Sequence, residues 1–330
     1  MVPYPLFWIA HHQASEFYPD ITVMRIAVAG TGELAQSIAR CINYKTSHHA
    51  VLLSREQRPQ FSKGCQVVLV DYSDMASLGF ALRGIDTLIS TVTGAGQIQL
   101  IHAAVFARVR RFALAEFEGL PSMRSHNDPL DRGRAAAQEL LQYYAQHIQS
   151  TAFVCGIFYE RFQPGGFGQS RMGLAAGVGG DGAYIMNCQT MAAEVPCYNG
   201  DHESNVGICA TAIEDVARFV THALDLPQWP PEMRMRGQRI LVKDLVVLVQ
   251  RLMGRDFDPL HWHNADSLRS ELQLAVLNQD MERQNQLRAL IATAEGQYDF
   301  EDCNLNLWFP DVRPVSFEDW FVHKWNLQGI

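Results

Sequence analysis

Apolar and polar positions follow two different periods in the first half of the chain. Five short runs read as buried parallel strands: Arg25-Ile26-Ala27-Val28-Ala29, Ala50-Val51-Leu52-Leu53-Ser54, Gln66-Val67-Val68-Leu69-Val70, Asp86-Thr87-Leu88-Ile89-Ser90 and Arg111-Phe112-Ala113-Leu114. Between them, Gln36 to Ile42, Met75 to Arg83 and Ile98 to Arg108 carry helical spacing. Strands alternating with helices over short connections predict a doubly wound parallel sheet. Asp131 to Gln146, rich in Ala, Leu, Gln and Arg, predicts a long helix, and Thr151 to Cys155 a sixth strand. The pattern then loosens around the glycine-rich stretches 163–168 and 177–182, which read as loops. Further helices are predicted over Thr211 to Leu224, with Ile213, Val216, Ala217 and Val220 on one face, over Val242 to Met253, and over most of Ala265 to Glu295.

The first strand stops at Gly30-Thr31-Gly32-Glu33-Leu34-Ala35, ahead of the first helix. This is the dinucleotide fingerprint G-x-G-x-x-A, and its setting between strand and helix makes it informative. Gly30 permits the tight turn, Gly32 lets backbone N–H groups approach a pyrophosphate, and Ala35 allows close helix–strand packing. The second strand ends in Ser54-Arg55, with no acid where a ribose 2′-hydroxyl would be held. Arginine suits a 2′-phosphate, so NADP(H) is the expected cofactor. The fold class is therefore α/β: a Rossmann doubly wound parallel sheet with a smaller C-terminal α/β substrate-binding portion. The expected division is 1–23 as a poorly ordered extension, 24–157 as the NADP-binding Rossmann domain and 158–330 as a mostly helical substrate-binding portion.

Charge and composition narrow the function. The formal net charge is -8 in 330 residues, without a block of Lys or Arg, which argues against nucleic acid as a partner. No apolar run reaches the roughly 18 residues a membrane span needs. The seven cysteines are scattered and contain no C-x-x-C pair, so they read as reduced thiols of a cytoplasmic protein. His261 and His263 flank Trp262 without a metal-site spacing, and no metal is expected. The expected partner is a small-molecule substrate, with the chain a monomer or homodimer.

Several motifs, in order, resemble one known group. Val28 to Ala35 is similar to its glycine-rich loop, and Leu53-Ser54-Arg55 to its NADP-reading corner. Val70-Asp71-Tyr72-Ser73-Asp74 is similar to its third-strand motif, and Asp86 to Val92 to its fourth strand. Arg111-Phe112-Ala113-Leu114-Ala115-Glu116-Phe117 resembles its R-F-x-P-S-E-F signature, with Leu114 and Ala115 in place of Pro and Ser. Asp215 to Phe219 and Arg236-Gly237-Gln238 match its second half. The group is the NmrA-like and isoflavone-reductase-like family of atypical short-chain dehydrogenases, in the form of its fungal biosynthetic-cluster members. The resemblance implies that Asp71, Thr91, Val92 and Thr93 join Gly30, Thr31, Gly32, Glu33, Leu34, Ala35, Ser54 and Arg55 around the cofactor.

The same resemblance raises a chemical difficulty. Short-chain reductases commonly use Tyr-x-x-x-Lys, and none is present: Tyr143, Tyr144 and Tyr159 are followed four residues on by His147, Ile148 and Gln163. The isoflavone-reductase branch implies one lysine on the helix after the fifth strand, where this chain has Arg134, with Arg132 the next choice. No lysine occurs between Lys63 and Lys243. An arginine stays protonated and cannot serve as a general base, though it can hold an oxyanion. Glu116 and Tyr159 are the other candidate catalytic groups, each also readable as structural. Phe158, Phe162, Phe167 and Trp229 are readable as a pocket or as core, and His126 as solvated. The expected activity is reduction of a small secondary-metabolite-type carbonyl or enone. The alternatives are a non-catalytic NADP(H)-binding regulator of the NmrA type and a non-redox dehydratase or cyclase.

Overall fold

The computed structural model describes residues 23–57, 64–124, 128–173, 178–197 and 205–327. In chain order its first half contains β1 (Arg25–Ala29), α1 (Glu33–Lys45), β2 (His49–Ser54), β3 (Gln66–Leu69), α2 (Met75–Ala81), β4 (Thr87–Ser90), α3 (Ala95–Phe106), β5 (Arg111–Glu118), α4 (Arg134–Tyr143) and β6 (Gln149–Val154). The second half contains β7 (Ile157–Phe158), β8 (Met186–Asn187), β9 (Ala192–Pro196), β10 (Gly207–Thr211), α5 (Ile213–Ala223), β11 (Glu232–Arg234) and β12 (Gln238–Leu241). It continues with α6 (Val242–Met253), β13 (Leu260–His263), α7 (Ala265–Leu277), α8 (Met281–Ala294), α9 (Asn304–Trp308) and α10 (Phe317–Lys324). The expected N-terminal extension lies, Val23 apart, outside the described residues, as does His126.

The main sheet has seven strands in the order β11-β6-β5-β4-β1-β2-β3, all parallel. The order 3-2-1-4-5-6 is that of a dinucleotide-binding sheet, which confirms the doubly wound prediction. Period-two alternation along β1 feeds both faces: Ile26 and Val28 enter one apolar cluster, Ala27 and Ala29 the other. The cluster holding Ala27 and Ala29 is closed by Leu78 of α2, Leu100 and Ile101 of α3 and Leu141 of α4. The opposite cluster is closed by Leu34 and Ile38 of α1 and by Ile213, Val216 and Val220 of α5.

The expected division after residue 157 is crossed by the chain. Helix α5 returns to pack on α1, and β11 pairs with β6 at the sheet edge. The α5 apolar face, with Ile213, Val216 and Val220, is buried by this return against Leu34 and Ile38 of α1. Arg111 of β5 pins it: the guanidinium donates to Leu224 O and Leu226 O at 2.8 Å and to Pro227 O at 3.1 Å. The remaining C-terminal part is less helical than expected. It carries two three-stranded sheets, β12-β10-β7 and β13-β9-β8, around a core of its own with Phe162, Phe317 and Phe321. Among the described residues no helix is long and apolar enough to cross a membrane. All seven cysteines are free.

Candidate functional site

A cleft of about 1280 Å³ opens over the carboxyl ends of the parallel strands and runs under the C-terminal part. That is where open α/β sheets bind ligands. Gly30, Thr31, Gly32, Leu34, Ala35, Ser54, Arg55, Thr91, Val92, Thr93, Glu116 and Arg134 all line it. Glu33, Asp71 and Tyr159 do not.

At the base of the cleft, α1 begins at Gly32 with no side-chain cap, so its first N–H groups are available to an anion. Gly30 has φ +118°, and a Cβ there would stand 2.1 Å from Thr91 Oγ1, which itself donates to Ala29 O at 2.8 Å. The turn therefore needs glycine. Gly32 has an ordinary φ, and a Cβ there would stand 3.2 Å from both Arg171 O and Met172 Cγ. Its missing side chain admits the segment around residue 171, which covers the loop.

The β2 corner is built by Ser54. Its hydroxyl donates to Glu56 O at 2.6 Å and accepts from Glu56 N–H at 3.0 Å, which turns the exposed Arg55 out over the cleft. Ser54 thus shapes the corner and does not offer a free hydroxyl. Asp71 is spent on a local turn, accepting from the N–H and hydroxyl of Ser73 at 2.8 and 2.6 Å, bonds that lower its pKa. Its neighbour Tyr72 faces the cleft instead. The Tyr72 hydroxyl donates to Leu53 O at 3.0 Å, and burial pushes its pKa well above the usual phenol value.

At the other end, β5 loses register with β6 between Leu114 and Glu118, and Phe117 turns to φ +34°. Glu116 and Glu118 project from this irregular stretch into a cluster of arginines. Arg124 bonds both oxygens of Glu116 and donates to Asp131 at 3.0 Å. Arg134 donates to Glu118 Oε2 at 2.5 Å, to Asp131 O at 3.0 Å, to Leu130 O at 2.8 Å and to Glu116 O at 3.5 Å. Burial alone would raise the Glu118 pKa, yet Arg134, Arg161 and Arg132 outweigh it and hold the carboxyl at about 2. Burial likewise favours loss of the Arg134 proton, and Glu118 and Glu116 more than reverse that. Arg134 and Glu116 therefore reach the cleft wall, but as members of a buried ion network. Four of the five N–H groups of Arg134 are already directed at protein acceptors.

Tyr159 is corrected outright as a candidate. It is fully buried, packs against Phe317 and Trp320 and donates to Val315 O at 3.3 Å, facing the C-terminal core. Glu33 sits on the first turn of α1 outside the cleft lining. The four aromatic candidates divide. Phe158 and Phe167 stack at 5.8 Å between ring centroids and line the cleft, whereas Phe162 and Trp229 are core. His263 lies elsewhere, between Glu194 and Glu271. Arg283 bonds both carboxylates, so the group is an ion network tying α8 to β9 and α7.

No family model matches the chain. It is 25% identical over 253 residues to the oxidoreductase BOA1 of Botryotinia fuckeliana, covering 72% of this chain and 79% of that one. A 131-residue stretch is 27% identical to the oxidoreductase swnN of Metarhizium robertsii, covering 36% of this chain and 38% of the relative. Among solved structures, AtPrR2 with NADP+ and (+)pinoresinol superposes with a TM-score of 0.67 at 20% identity, over 91% of this chain and 98% of that one. The ternary complex of leucoanthocyanidin reductase from Vitis vinifera gives 0.69 at 16%, over 91% and 98%. An isoflavone reductase gives 0.67 at 14%, over 92% and 99%.

The fold is that of the isoflavone-reductase-like group. On that fold the sequence reading found the glycine loop and the β2 corner but missed much of the far wall. Glu118, Arg161, Arg171 and Met172 all line the cleft. Arg161 carried a usable signal: it lies two residues beyond Tyr159, in the same turn after β7. The segment 170–172 carried none, since its approach to Gly32 depends on tertiary packing.

Proposed function

We propose that the chain is an NADP(H)-dependent oxidoreductase reducing a small carbonyl or enone of secondary-metabolite type. The observation that carries this reading is the extent of the cleft. At about 1280 Å³ it exceeds the roughly 300–1,000 Å³ of a pocket for one small ligand. It runs from a dinucleotide-type loop at Gly30–Ala35 to an aromatic wall at Phe158 and Phe167, so it has room for a cofactor and a second molecule. The solved neighbours named above include one with NADP+ and (+)pinoresinol. The residues here fit such a cofactor: an uncapped helix end for the pyrophosphate, Arg55 for a 2′-phosphate and Thr91 to Thr93 beside the nicotinamide ribose. When bound, the nicotinamide supplies a hydride at C4. Phe158 and Phe167 limit water on the substrate side. Among the described residues no lysine lines the cleft and the Tyr72 hydroxyl is donated to Leu53 O, so the proton comes from solvent.

Calorimetric titration tests the cofactor assignment. NADPH should bind more tightly than NADH, and Arg55→Ala should remove about tenfold in NADPH affinity, the low end for an exposed charge-assisted contact. Equal affinities for the two cofactors would sink it. Gly32→Val should abolish NADPH binding while leaving the circular dichroism spectrum unchanged, because the added methyl groups meet Arg171 O and Met172. Retained binding would place the pyrophosphate elsewhere. The missing lysine favours a second reading, an NADP(H)-binding regulator without catalysis. The two part in a screen of carbonyls and enones: NADPH oxidation supports the reductase, and tight binding without turnover supports the regulator.

A further inference from the structure

Taking the cleft as a reductase site, we propose that its substrate is an apolar or aromatic carboxylic acid whose carboxylate is held between Arg132 and Arg161. Five arginines and three glutamates line the cleft, in a chain whose formal net charge is -8. Arg55 belongs to the β2 side. Arg132 and Arg161 stand beyond β5, three strand spacings away, or roughly 14 Å. That separation assigns them to a different ligand group from the one Arg55 meets.

Their bonding is incomplete in a way that Arg134 is not. Among the described residues the half-buried Arg132 guanidinium makes no hydrogen bond and no ion pair within 4 Å, although it sits in the field of Glu118. Its backbone is left-handed at φ +53° and is followed by Gly133 at φ +75°, a turn that directs the residue to the cleft just before α4. Arg161 is held in place by the rings of Phe167 and Tyr184, at 4.8 and 5.3 Å from its guanidinium carbon. Its Nε is buried without a hydrogen-bond partner, and its nearest carboxylate oxygen, on Glu118, is 3.9 Å away. Glu118 gives its other oxygen to Arg134. Among the described residues Arg132 and Arg161 thus face a single carboxylate, Glu118, which is already bonded to Arg134, and a ligand carboxylate completes the set. A phosphate would meet the same charges. The rest of this end, with Phe158 and Phe167, calls instead for a small head on an apolar body.

The test is calorimetry on the protein saturated with NADP+, using 3-phenylpropanoate and the matching neutral amide as probes. The acid should bind at least about tenfold more tightly than the amide, the margin expected for a charge-assisted contact. Arg132→Gln should bring the acid down to the level of the amide and leave NADP+ affinity and the circular dichroism spectrum unchanged, because among the described residues Arg132 donates to no protein acceptor and touches Glu118 only through its field. Arg161→Met, which keeps the apolar stack on Phe167, should act in the same direction. Equal binding of acid and amide, no binding of the acid, or a preference that survives Arg132→Gln overturns the proposal. Failure of the wild-type protein to bind NADP+ overturns the reductase reading instead. The acid–amide comparison is then made on the protein alone and still decides the carboxylate site.

Discussion

Arg134→Ala should lower folding stability by about 3 kcal/mol in urea denaturation, while the folded variant keeps NADPH affinity within a small factor. The substitution removes a cation that is 5% exposed and deprives Glu118 of its closest partner. Breaking a buried pair from one side commonly costs about 3–5 kcal/mol, because the other charge is left behind. The low end applies because the Glu118 side chain is 22% exposed and still faces Arg161 and Arg132. Three backbone carbonyls, of Glu116, Leu130 and Asp131, also lose a donor. Adding Glu118→Gln to Arg134→Ala should recover part of the loss, since the stranded charge disappears with it. Arg134→Lys should recover less than half, because one ammonium cannot reach carbonyls and carboxylate in the planar fork of a guanidinium. A catalytic cation would behave differently. It would lower turnover with stability nearly intact, and that result would restore Arg134 to the reacting centre.

How far the sequence could be read follows from where the determinants lie. The Rossmann half was legible because its signals are local. A β-branched run of four or five residues, a G-x-G-x-x-A turn and a 3.6-residue period each lie within about a dozen positions. Strand β11 was not legible: three residues after Pro230-Pro231 have no period of their own, and pairing with β6 makes them a strand. The short strands of the C-terminal part were missed for the same reason, and helix α5 was found without any sign that its apolar face returns to α1. At the site, residue type was read well and role poorly. Arg134 and Glu116 were placed on the cleft, but their mutual partners Arg124, Asp131 and Glu118 come from three separate segments. Only the folded geometry shows that such charges are already satisfied. Tyr159 failed because the turn after β7 points alternate side chains into two different environments: Phe158 to the cleft and Tyr159 to the C-terminal core.

Glu160→Gln should make the protein more stable at pH 8 and leave it nearly unchanged at pH 5. Glu160 is 2% exposed. One carboxyl oxygen accepts from Ile213 N–H at 3.1 Å, and the other has no hydrogen-bond partner. Burial pushes its pKa up to about 8. The Ile213 N–H bond and the distant Lys324 charge act against this, and Glu33 adds to it. The sign follows from proton counts. Between about pH 4.5 and 8 the folded protein keeps this proton and the unfolded chain has lost it, so stability falls as pH rises through that window and levels above it. The loss is on the order of a few kcal/mol. Glu118 and Glu194, both held at about 2, work the other way but only at lower pH, where protonating them removes stability. Neither contributes to the window above 4.5, where Glu160 acts. Glutamine keeps the shape and the acceptor for Ile213 N–H, carries no charge at any pH, and so removes the Glu160 share alone. Urea denaturation of both proteins at pH 5, 6.5 and 8 separates the outcomes. A wild-type decline that the variant lacks identifies Glu160 as its source. Parallel declines would mean that Glu160 ionises in the folded protein as it does in the unfolded chain, with water reaching its second oxygen.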